Sequence, residues 1–571
     1  MTPELTQNTS VHRALLVAML IAICTFAAIA PTLTWPQFTG GNENIVVQTA
    51  LEMRHGGPML VPQMMGEPRV RKPPLVAWIT ALAMRQETIA ALDSPKHHEQ
   101  AYRDLAWQVR WTGLLAGCLL ILATFELARV LFNARVGVLA ALVVATNILF
   151  QKYMRQSTSD VHLALWVTIA NAAFAHAVIH GRIWIAATIG MAATAIAFLC
   201  KGPVAIVETV VPWLAIICFV KSNSASSHAR VNKRRILPVV CGLAIFCAIA
   251  LPWFVHVYLS VPDVMHTWFS EVSRHGATDL EPSTPAIYLE PIPLLWPWAI
   301  MLIGGSVVMW RQRLRADWCA IAMVLVPIGI MIWFPDRKER YLLPMVAPLS
   351  IIAARGLAAF LAAPSGYRSA RWVAVLHYLL LGAICIGVPL AGAYHPLLRT
   401  IAAEPWYSPQ LACWVAVMFA SLILLGIVLQ RRDRWSLPIT TFVAMLILQA
   451  VVMYGYRFSE SGMSPMKPLA EYIRRVTPDA AVYDWNANGR RVDEDLAIYL
   501  NRAVLPIDPK TLRPGDRHQI YVTRQGSDDV KNKLDPIPPP GWMLMMKVKE
   551  RKNYWWAFIL PPTEPSIPPM Q

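Results

Sequence analysis

The sequence is poor in charged residues. Only 15% of its 571 residues are Asp, Glu, Lys or Arg, and its mean hydropathy is +0.43, whereas soluble proteins carry about 25% charged residues. An ordinary soluble enzyme and a disordered protein are therefore excluded. The nine cysteines form no CxxC pair and none follows Cys413, which excludes a disulfide scaffold. The chain also lacks a P-loop, a GxGxxG turn and a zinc motif, which disfavours ATP-driven transport and redox cofactors.

Long apolar stretches dominate the chain instead. A helix needs about 20 apolar residues to cross a membrane. The fold class that this predicts is mainly α, a polytopic membrane protein of about 13 transmembrane helices with a small C-terminal α/β domain. The predicted spans are 14–35, 106–128, 136–151, 161–179, 184–200, 204–220, 236–258, 291–310, 317–335, 341–361, 372–394, 410–430 and 436–456.

The distribution of charge predicts the orientation. With the N-terminus in the cytoplasm, the inner segments hold seventeen Lys/Arg against three acids, while the outer loop 36–105 holds seven of each sign. This asymmetry is typical of a multi-pass protein of the plasma (inner) membrane. The net charge of +16 therefore does not indicate nucleic-acid binding, and no nucleic-acid partner is predicted.

The same orientation predicts two domains. Residues 1–456 form a transmembrane domain that includes the outer loop 36–105, and residues 457–571 form a small soluble α/β domain on the outer face, periplasmic in a bacterial envelope. Within this tail we expect helices over 465–475 and 491–502, and strands in "AAVYDW", "HQIYVTR", "WMLMMKVKE" and "WWAFIL".

Two acids lie where the chain reaches the outer surface. Glu43 follows the first span and Asp160 opens the fourth. Each is either an ordinary solvated loop acid or part of a site, and their equivalent depth favours the second interpretation.

Cations also cluster at the outer ends of spans, the side that should be poor in Lys and Arg. Lys72 lies in "RVRKPPL" and Lys201 in "LCKGP", each beside a helix break, and further cations occur in "FQKYMRQ" and "FPDRKERYLLP". They either snorkel to ordinary lipid headgroups or bind an anionic lipid headgroup such as a phosphate. The short apolar segment from Leu75 to Met84 cannot span and is expected to lie at the interface.

Several fragments together resemble a known family. They are "GNENIVVQTALEM", "RKPPLVAW", "STSDVHLALW", "LCKGPVA", "PWFVHVY" and "DRKERYLLPMVAPLSI". In order and spacing they are similar to the membrane glycosyltransferases of the GT-C type, which include protein O-mannosyltransferases and aminoarabinose transferases. The resemblance covers roughly residues 10–360, and the remainder is similar only in layout.

The resemblance implies a reaction. Such enzymes transfer a sugar from a polyprenyl-phosphate carrier to a lipid, glycan or protein acceptor on the outer face, usually with inversion. An outer-loop carboxylate acts as general base, and cations stabilise the leaving phosphate. The implied catalytic residues are Glu43 and Asp160. The implied contacts to the donor phosphate are Lys72, Lys201, Arg337, Lys338, Tyr341, Arg71 and Arg274.

The chain departs from the family pattern at one position. The family usually has Asp-Glu in the first loop, whereas this chain has Asn42-Glu43. Since Asn42 cannot accept a proton at neutral pH, either Glu43 or Asp160 carries the role, or the protein is an inactive lipid-binding homologue. No cofactor is predicted, and the outer loops neither indicate nor exclude a divalent metal.

The alternative from another functional class is a transporter or flippase for an anionic or polyprenyl-linked lipid. Transporters usually place their charges near the bilayer midplane and contain inverted repeats. Here the charges lie at the outer boundary and no repeat is found, which favours the transferase.

Overall fold

The structure is a computed structural model. It describes residues 3–562 except 40, 95, 223–235, 275–295, 334–337, 365–367, 395–406, 460–461, 485–493, 516, 526–534 and 551–552.

Apolar helices make up most of the described chain. The helices are α1 (Pro3–Ile29), α2 (Asn42–Arg54), α3 (Leu75–Ala83), α4 (Gln86–Leu92), α5 (His98–Leu131), α6 (Ala134–Ala145), α7 (Ile148–Tyr153), α8 (Ser159–His180), α9 (Ile183–Lys201), α10 (Val204–Glu208), α11 (Val210–Ser222), α12 (Ile236–Ser260), α13 (Val264–Arg274), α14 (Ala299–Gln312), α15 (Arg315–Met331), α16 (Val346–Ala362), α17 (Arg368–Tyr394), α18 (Pro409–Gln430), α19 (Ser436–Tyr456), α20 (Met466–Val476) and α21 (Asp495–Leu500). A 3-10 segment, Glu339–Met345, leads into α16.

The prediction of a mainly helical, multi-pass membrane protein is confirmed. Within the described residues, nine helices are long and apolar enough to cross a membrane, or ten if the bent pair α3–α4 is one span. The four remaining predicted spans correspond to α6, α11, α14 and α15, each shorter than 18 residues.

Local capping explains how the chain turns between the C-terminus of α6 and the N-terminus of α8. The Asn147 side chain accepts a hydrogen bond from the backbone N–H of Phe150 at 2.9 Å, so α7 begins immediately after α6. An Asn at this position satisfies a helix N–H that has no partner within the helix. The loop from Met154 to Thr158 then leads into α8, and this loop carries polar residues that belong to the site described below.

The segment between α1 and α5, which contains the predicted outer loop and is called the outer loop below, is folded rather than extended. It contains α2, the short antiparallel hairpin β1 (Gln63–Met64) and β2 (Glu67–Pro68), and the helices α3 and α4, which meet at an angle of 83°. As expected from its length, α3 is too short to span a membrane by itself.

The tail forms a small domain around a five-stranded mixed sheet. Its strands are β3 (Ala481–Asp484), β4 (Leu505–Pro506), β5 (Gln519–Gln525), β6 (Met543–Glu550) and β7 (Asn553–Leu560), in the order β4-β3-β5-β7-β6. β3 pairs in parallel with β4 and β5, whereas β7 pairs antiparallel with β5 and β6. The predicted small C-terminal domain is therefore present, and its helices α20 and α21 lie within the two predicted helices, apart from the last residue of α20.

The outer loop and the C-terminal domain share one hydrophobic core. Leu51 and Leu105 from the loop side are fully buried in the same cluster as Leu469, Leu496 and Val522 from the tail. The predicted outer loop and the C-terminal domain therefore pack against each other.

Candidate active site

The N-terminus of α2 lies at the centre of the candidate site. Gly41 precedes it with a φ of +82°, a conformation that residues with a side chain rarely adopt. This turn places Asn42 and Glu43 in the first turn of the helix, and only 8% of Glu43 is exposed.

Glu43 is held in a buried ion pair with Arg110 of α5. Arg110 Nε lies 2.8 Å from Glu43 Oε1, and Nη2 lies 2.8 Å from Oε2. The remaining N–H groups of the guanidinium donate to the carbonyl oxygens of Leu33 and Pro36 at 2.7 Å and of Gln37 at 3.2 Å. All five donors of the arginine are thus used, and 3% of the residue is exposed. Both oxygens of the Glu43 carboxylate therefore already accept charge-assisted hydrogen bonds.

The same carboxylate connects α2 to the start of α8. The backbone N–H of Ser157 donates to Glu43 Oε1 at 3.0 Å. Three residues later, Asp160 lies in the first turn of α8 with 1% of its surface exposed. The structure therefore brings the two predicted acids into neighbouring turns of one site.

Asp160 pairs with one of the predicted lysines. Lys201 at the end of α9 donates to Asp160 Oδ1, whereas Oδ2 is buried without a hydrogen-bond partner. The Lys201 ammonium also lies 4.5 Å from the centre of the Tyr341 ring. Gly202, with a φ of +75°, ends the helix immediately after this lysine.

Further cations surround this pair. Lys72 is subject to the charges of Lys201, Asp160, Arg69 and Arg340. Burial, reinforced by the positive charge of Lys201, lowers the pKa of Lys72 to about 8, and burial lowers the pKa of Arg69 to about 10. Cations whose charge is this costly are typical of a site that binds an anion.

Arg340 links the cation group to the start of α2. With the Asn42 amide oriented so that its oxygen faces the guanidinium, that oxygen accepts from Arg340 Nε at 3.1 Å and from Nη1 at 3.3 Å. The Arg340 guanidinium lies 5.5 Å from the centre of the Tyr341 ring. Asn42 therefore holds Arg340 without neutralising it.

The other predicted phosphate contacts lie outside this group or outside the description. Arg71 is exposed, and Lys338 is half-buried before the 3-10 segment, where its carbonyl accepts from Tyr341 N–H at 3.0 Å. Arg337 lies outside the described residues. Arg274 is the last residue of α13, and its side chain lies outside the description.

A cavity of about 630 Å³ has Glu43 among its lining residues. Its apolar wall comes from α17 and α19, including Ile384, Val388 and Leu448, and its polar end contains Glu43, Arg110, Gln151, Lys152 and Arg155. An apolar chamber with a charged end suits an amphipathic molecule.

Arg155 is the cation of this cavity with unused donors. Only 8% of it is exposed, its Nη1 donates to the carbonyl of Gln151 at 3.3 Å, and its Nε and Nη2 have no partner. Burial lowers the pKa of Arg155 to about 9. The neighbouring Lys152, by contrast, is paired with Glu339.

The sequence did not identify three of these residues as members of the site. Arg110 lies within the predicted apolar span 106–128, where a lone buried cation is itself a functional signal. From the sequence alone, Arg340 and Arg155 are only two of several cations on the predicted outer side. Among the residues that the structure describes, no group of three His, Cys, Asp or Glu side chains could hold a metal ion.

Comparison with known proteins gives a family and relatives. Residues 100–256 match the family described as dolichyl-phosphate-mannose-protein mannosyltransferase. The chain is 26% identical over 413 residues to the undecaprenyl phosphate-alpha-4-amino-4-deoxy-L-arabinose arabinosyl transferase of Aeromonas hydrophila, covering 69% of each chain. It is 23% identical over 357 residues to the enzyme of the same name from Photorhabdus laumondii, covering 60% of this chain and 59% of that relative.

A solved structure has the same fold. The crystal structure of ArnT from Cupriavidus metallidurans bound to undecaprenyl phosphate superimposes with a TM-score of 0.72, over 94% of this chain and 97% of that chain, at 17% identity. The predicted resemblance to the GT-C membrane glycosyltransferases is confirmed by these relatives and this fold.

Proposed function

We propose that this chain is a GT-C membrane glycosyltransferase that transfers 4-amino-4-deoxy-L-arabinose from undecaprenyl phosphate to an anionic lipid. The observation that carries the proposal is the cation group Lys72, Lys201 and Arg340, half-buried beside Asp160 and next to the N-terminus of α2. The sugar and its carrier come from the names of the relatives. The donor phosphate lies against these cations, and Asp160 orients Lys201 toward it.

The reaction is a single displacement with inversion. An acceptor oxygen forms a bond to the anomeric carbon while the bond from that carbon to the carrier phosphate breaks, and the electron pair leaves with the phosphate. Charge develops on the phosphate oxygens, where Lys72, Lys201 and Arg340 stabilise it in a site with little water. Cations fixed in advance by Asp160, Asn42 and the Tyr341 ring need little rearrangement during this step.

The cavity beside Glu43 is the proposed binding site of the acceptor. Its apolar wall suits acyl chains, and the Arg155 guanidinium, a cation among the residues that line the cavity, suits an acidic headgroup. An acceptor oxygen that is already ionised needs no general base. This fits Asn42, which cannot accept a proton, and Glu43, whose two oxygens are held by Arg110. Glu43 then acts as a positioning residue.

The topology proposed with this function has thirteen crossings. Among the described residues, the nine long helices and the four shorter ones at predicted spans give an odd number, and an odd number of crossings puts the two termini on opposite sides of the membrane. The proposed orientation has the N-terminus in the cytoplasm and the tail domain outside. The excess of Lys and Arg in the inner segments supports this orientation. The site then faces the outer surface of the plasma (inner) membrane, with the tail as a domain of its own from residue 457.

The test is a transfer assay in proteoliposomes. Purified protein receives synthetic undecaprenyl-phosphate aminoarabinose and either an anionic phospholipid-type acceptor or its neutral analogue. With the anionic acceptor we expect sugar transfer and release of undecaprenyl phosphate. The transfer rate should fall at least tenfold in Arg155→Met. It should not change in the control Arg85→Met, which replaces an exposed cation of the outer loop. Movement of intact donor between leaflets without product would indicate a flippase instead. Equal use of both acceptors would refute the acidic-headgroup assignment.

A further inference from the structure

The position of Arg110 depends on the segment 33–39, which joins α1 to α2. Three of its five N–H groups donate to carbonyl oxygens of this segment, those of Leu33, Pro36 and Gln37. The Phe38 ring lies 4.9 Å from the guanidinium carbon. A shift of this segment would therefore move the guanidinium, and with it the Glu43 carboxylate.

The C-terminal part of the chain holds this segment at three points. The Phe38 N–H donates to the Tyr499 hydroxyl at 2.9 Å. The Gln37 N–H donates to the carbonyl of Gly462 at 2.9 Å, and the Ser464 N–H donates to Gln37 Oε1 at 2.9 Å. All three partners lie in the tail that begins at residue 457, but of the three only Tyr499 acts through its side chain.

Tyr499 is buried deep in the contact between the tail domain and the outer loop. It belongs to α21, and 3% of it is exposed. Tyr102 of α5 donates its hydroxyl proton to the carbonyl of Tyr499 at 2.5 Å, and the two ring centres lie 5.0 Å apart. Tyr102 therefore contacts the carbonyl and the ring of Tyr499, whose backbone also belongs to α21, whereas the Tyr499 hydroxyl contacts Phe38.

We infer that Tyr499 is a positioning residue of the transferase, through which the C-terminal domain sets the geometry of Phe38, Arg110 and Glu43. The inference rests on the proposed function, because it takes the N-terminus of α2 as part of the reaction site. It gives the tail domain a role in turnover: a tyrosine in that domain fixes the segment whose carbonyls hold Arg110.

The matched pair of variants is Tyr499→Phe and Tyr102→Phe. Both remove a buried hydroxyl at the same contact, but only Tyr499 bonds to the segment 33–39. A hydrogen bond of this kind contributes about 1 kcal/mol, so we expect kcat of Tyr499→Phe to fall about fivefold while the donor KM stays within twofold. Tyr102→Phe should lose about as much thermal stability as Tyr499→Phe, but its kcat should stay at the wild-type value.

A second measurement does not depend on activity. Hydrogen–deuterium exchange of the full-length protein in nanodiscs should become faster in peptides covering 33–39 and the first turn of α2 in Tyr499→Phe only. If the two variants have equal kcat and equal exchange in these peptides, Tyr499 has only a structural role and the inference is wrong. A wild-type protein without transfer activity would refute the proposed function instead, and the exchange experiment would still decide whether Tyr499 positions the segment.

Discussion

Glu43→Gln distinguishes a positioning role of Glu43, through its ion pair with Arg110, from a role as general base. The substitution keeps the shape of the side chain but leaves the Arg110 guanidinium, 3% exposed, without its counter-charge. Removing one partner of a buried ion pair typically costs about 3–5 kcal/mol, because the remaining charge is buried and uncompensated. The glutamine also turns an N–H₂ group toward the donors of Arg110. We therefore expect a large loss of thermal stability together with a loss of turnover.

The double variant makes the argument quantitative. Arg110→Gln alone should also destabilise, since it leaves the Glu43 carboxylate buried with one remaining donor, the backbone N–H of Ser157. Combining Glu43→Gln with Arg110→Gln removes both charges, so the double variant should be more stable than either single variant. Thermal unfolding of purified protein in detergent, followed by intrinsic fluorescence at equal concentration, measures all three against the wild type.

A general base predicts a different pattern. Loss of such a base lowers the rate by about 10²–10⁴ without requiring any loss of stability. If Glu43→Gln unfolds at the wild-type temperature while turnover falls by that factor, the positioning role of Glu43 is wrong. It is also wrong if the double variant is no more stable than the single variants.

Three further predictions concern the donor site and the topology. Lys72→Met and Lys201→Met should each lower kcat/KM about ten- to a hundredfold, as expected when a charge-assisted hydrogen bond to phosphate is lost, whereas Arg234→Met in a predicted inner segment should not. Burial and the charge of Lys201 lower the pKa of Lys72 to about 8, so the Lys72 side chain of the free enzyme loses its positive charge above that pH. The donor KM should therefore rise above pH 8. Lys72→Arg should abolish this rise. Single cysteines at Ser227 and Ser527 should react with an impermeant thiol reagent from opposite sides of the membrane; labelling from one side would exclude thirteen crossings.

The helices and most strands were predictable because their signals are local. α20 (Met466–Val476) lies within one residue of the predicted helix 465–475, and β7 (Asn553–Leu560) contains the predicted "WWAFIL" strand. The pairing of the strands was not predictable. Nothing in the sequence places β3 between β4 and β5, since neighbours in a sheet depend on contacts distant in the chain.

The site was predictable in part for the same reason. Lys72 and Lys201 could be identified because each lies beside a helix break that marks the end of an apolar segment. Arg340 could not be chosen over Arg337 and Lys338, because the choice depends on the turn of the 3-10 segment beginning at Glu339. Glu43 and Arg110 lie 67 positions apart in the chain, so no local sequence pattern predicts that they pair.

Asn42→Asp tests the proposed donor site and the proposed ionised acceptor together. The asparagine oxygen accepts from Arg340 at 3.1 Å without adding charge, so the guanidinium keeps its full charge for the donor phosphate. An aspartate would form a charged pair with Arg340 and compete with the phosphate for it. Because a hydrogen bond to a charged group contributes about 1.5–3 kcal/mol, we expect the donor KM to rise at least tenfold in Asn42→Asp, with kcat unchanged or lower. If the acceptor were a neutral hydroxyl, the new carboxylate would supply a missing base and kcat would rise. A rise in kcat would therefore refute the ionised acceptor and restore the family's usual mechanism to this chain; steady-state kinetics of Asn42→Asp beside Asn42→Ser, which adds no charge, decides between the two.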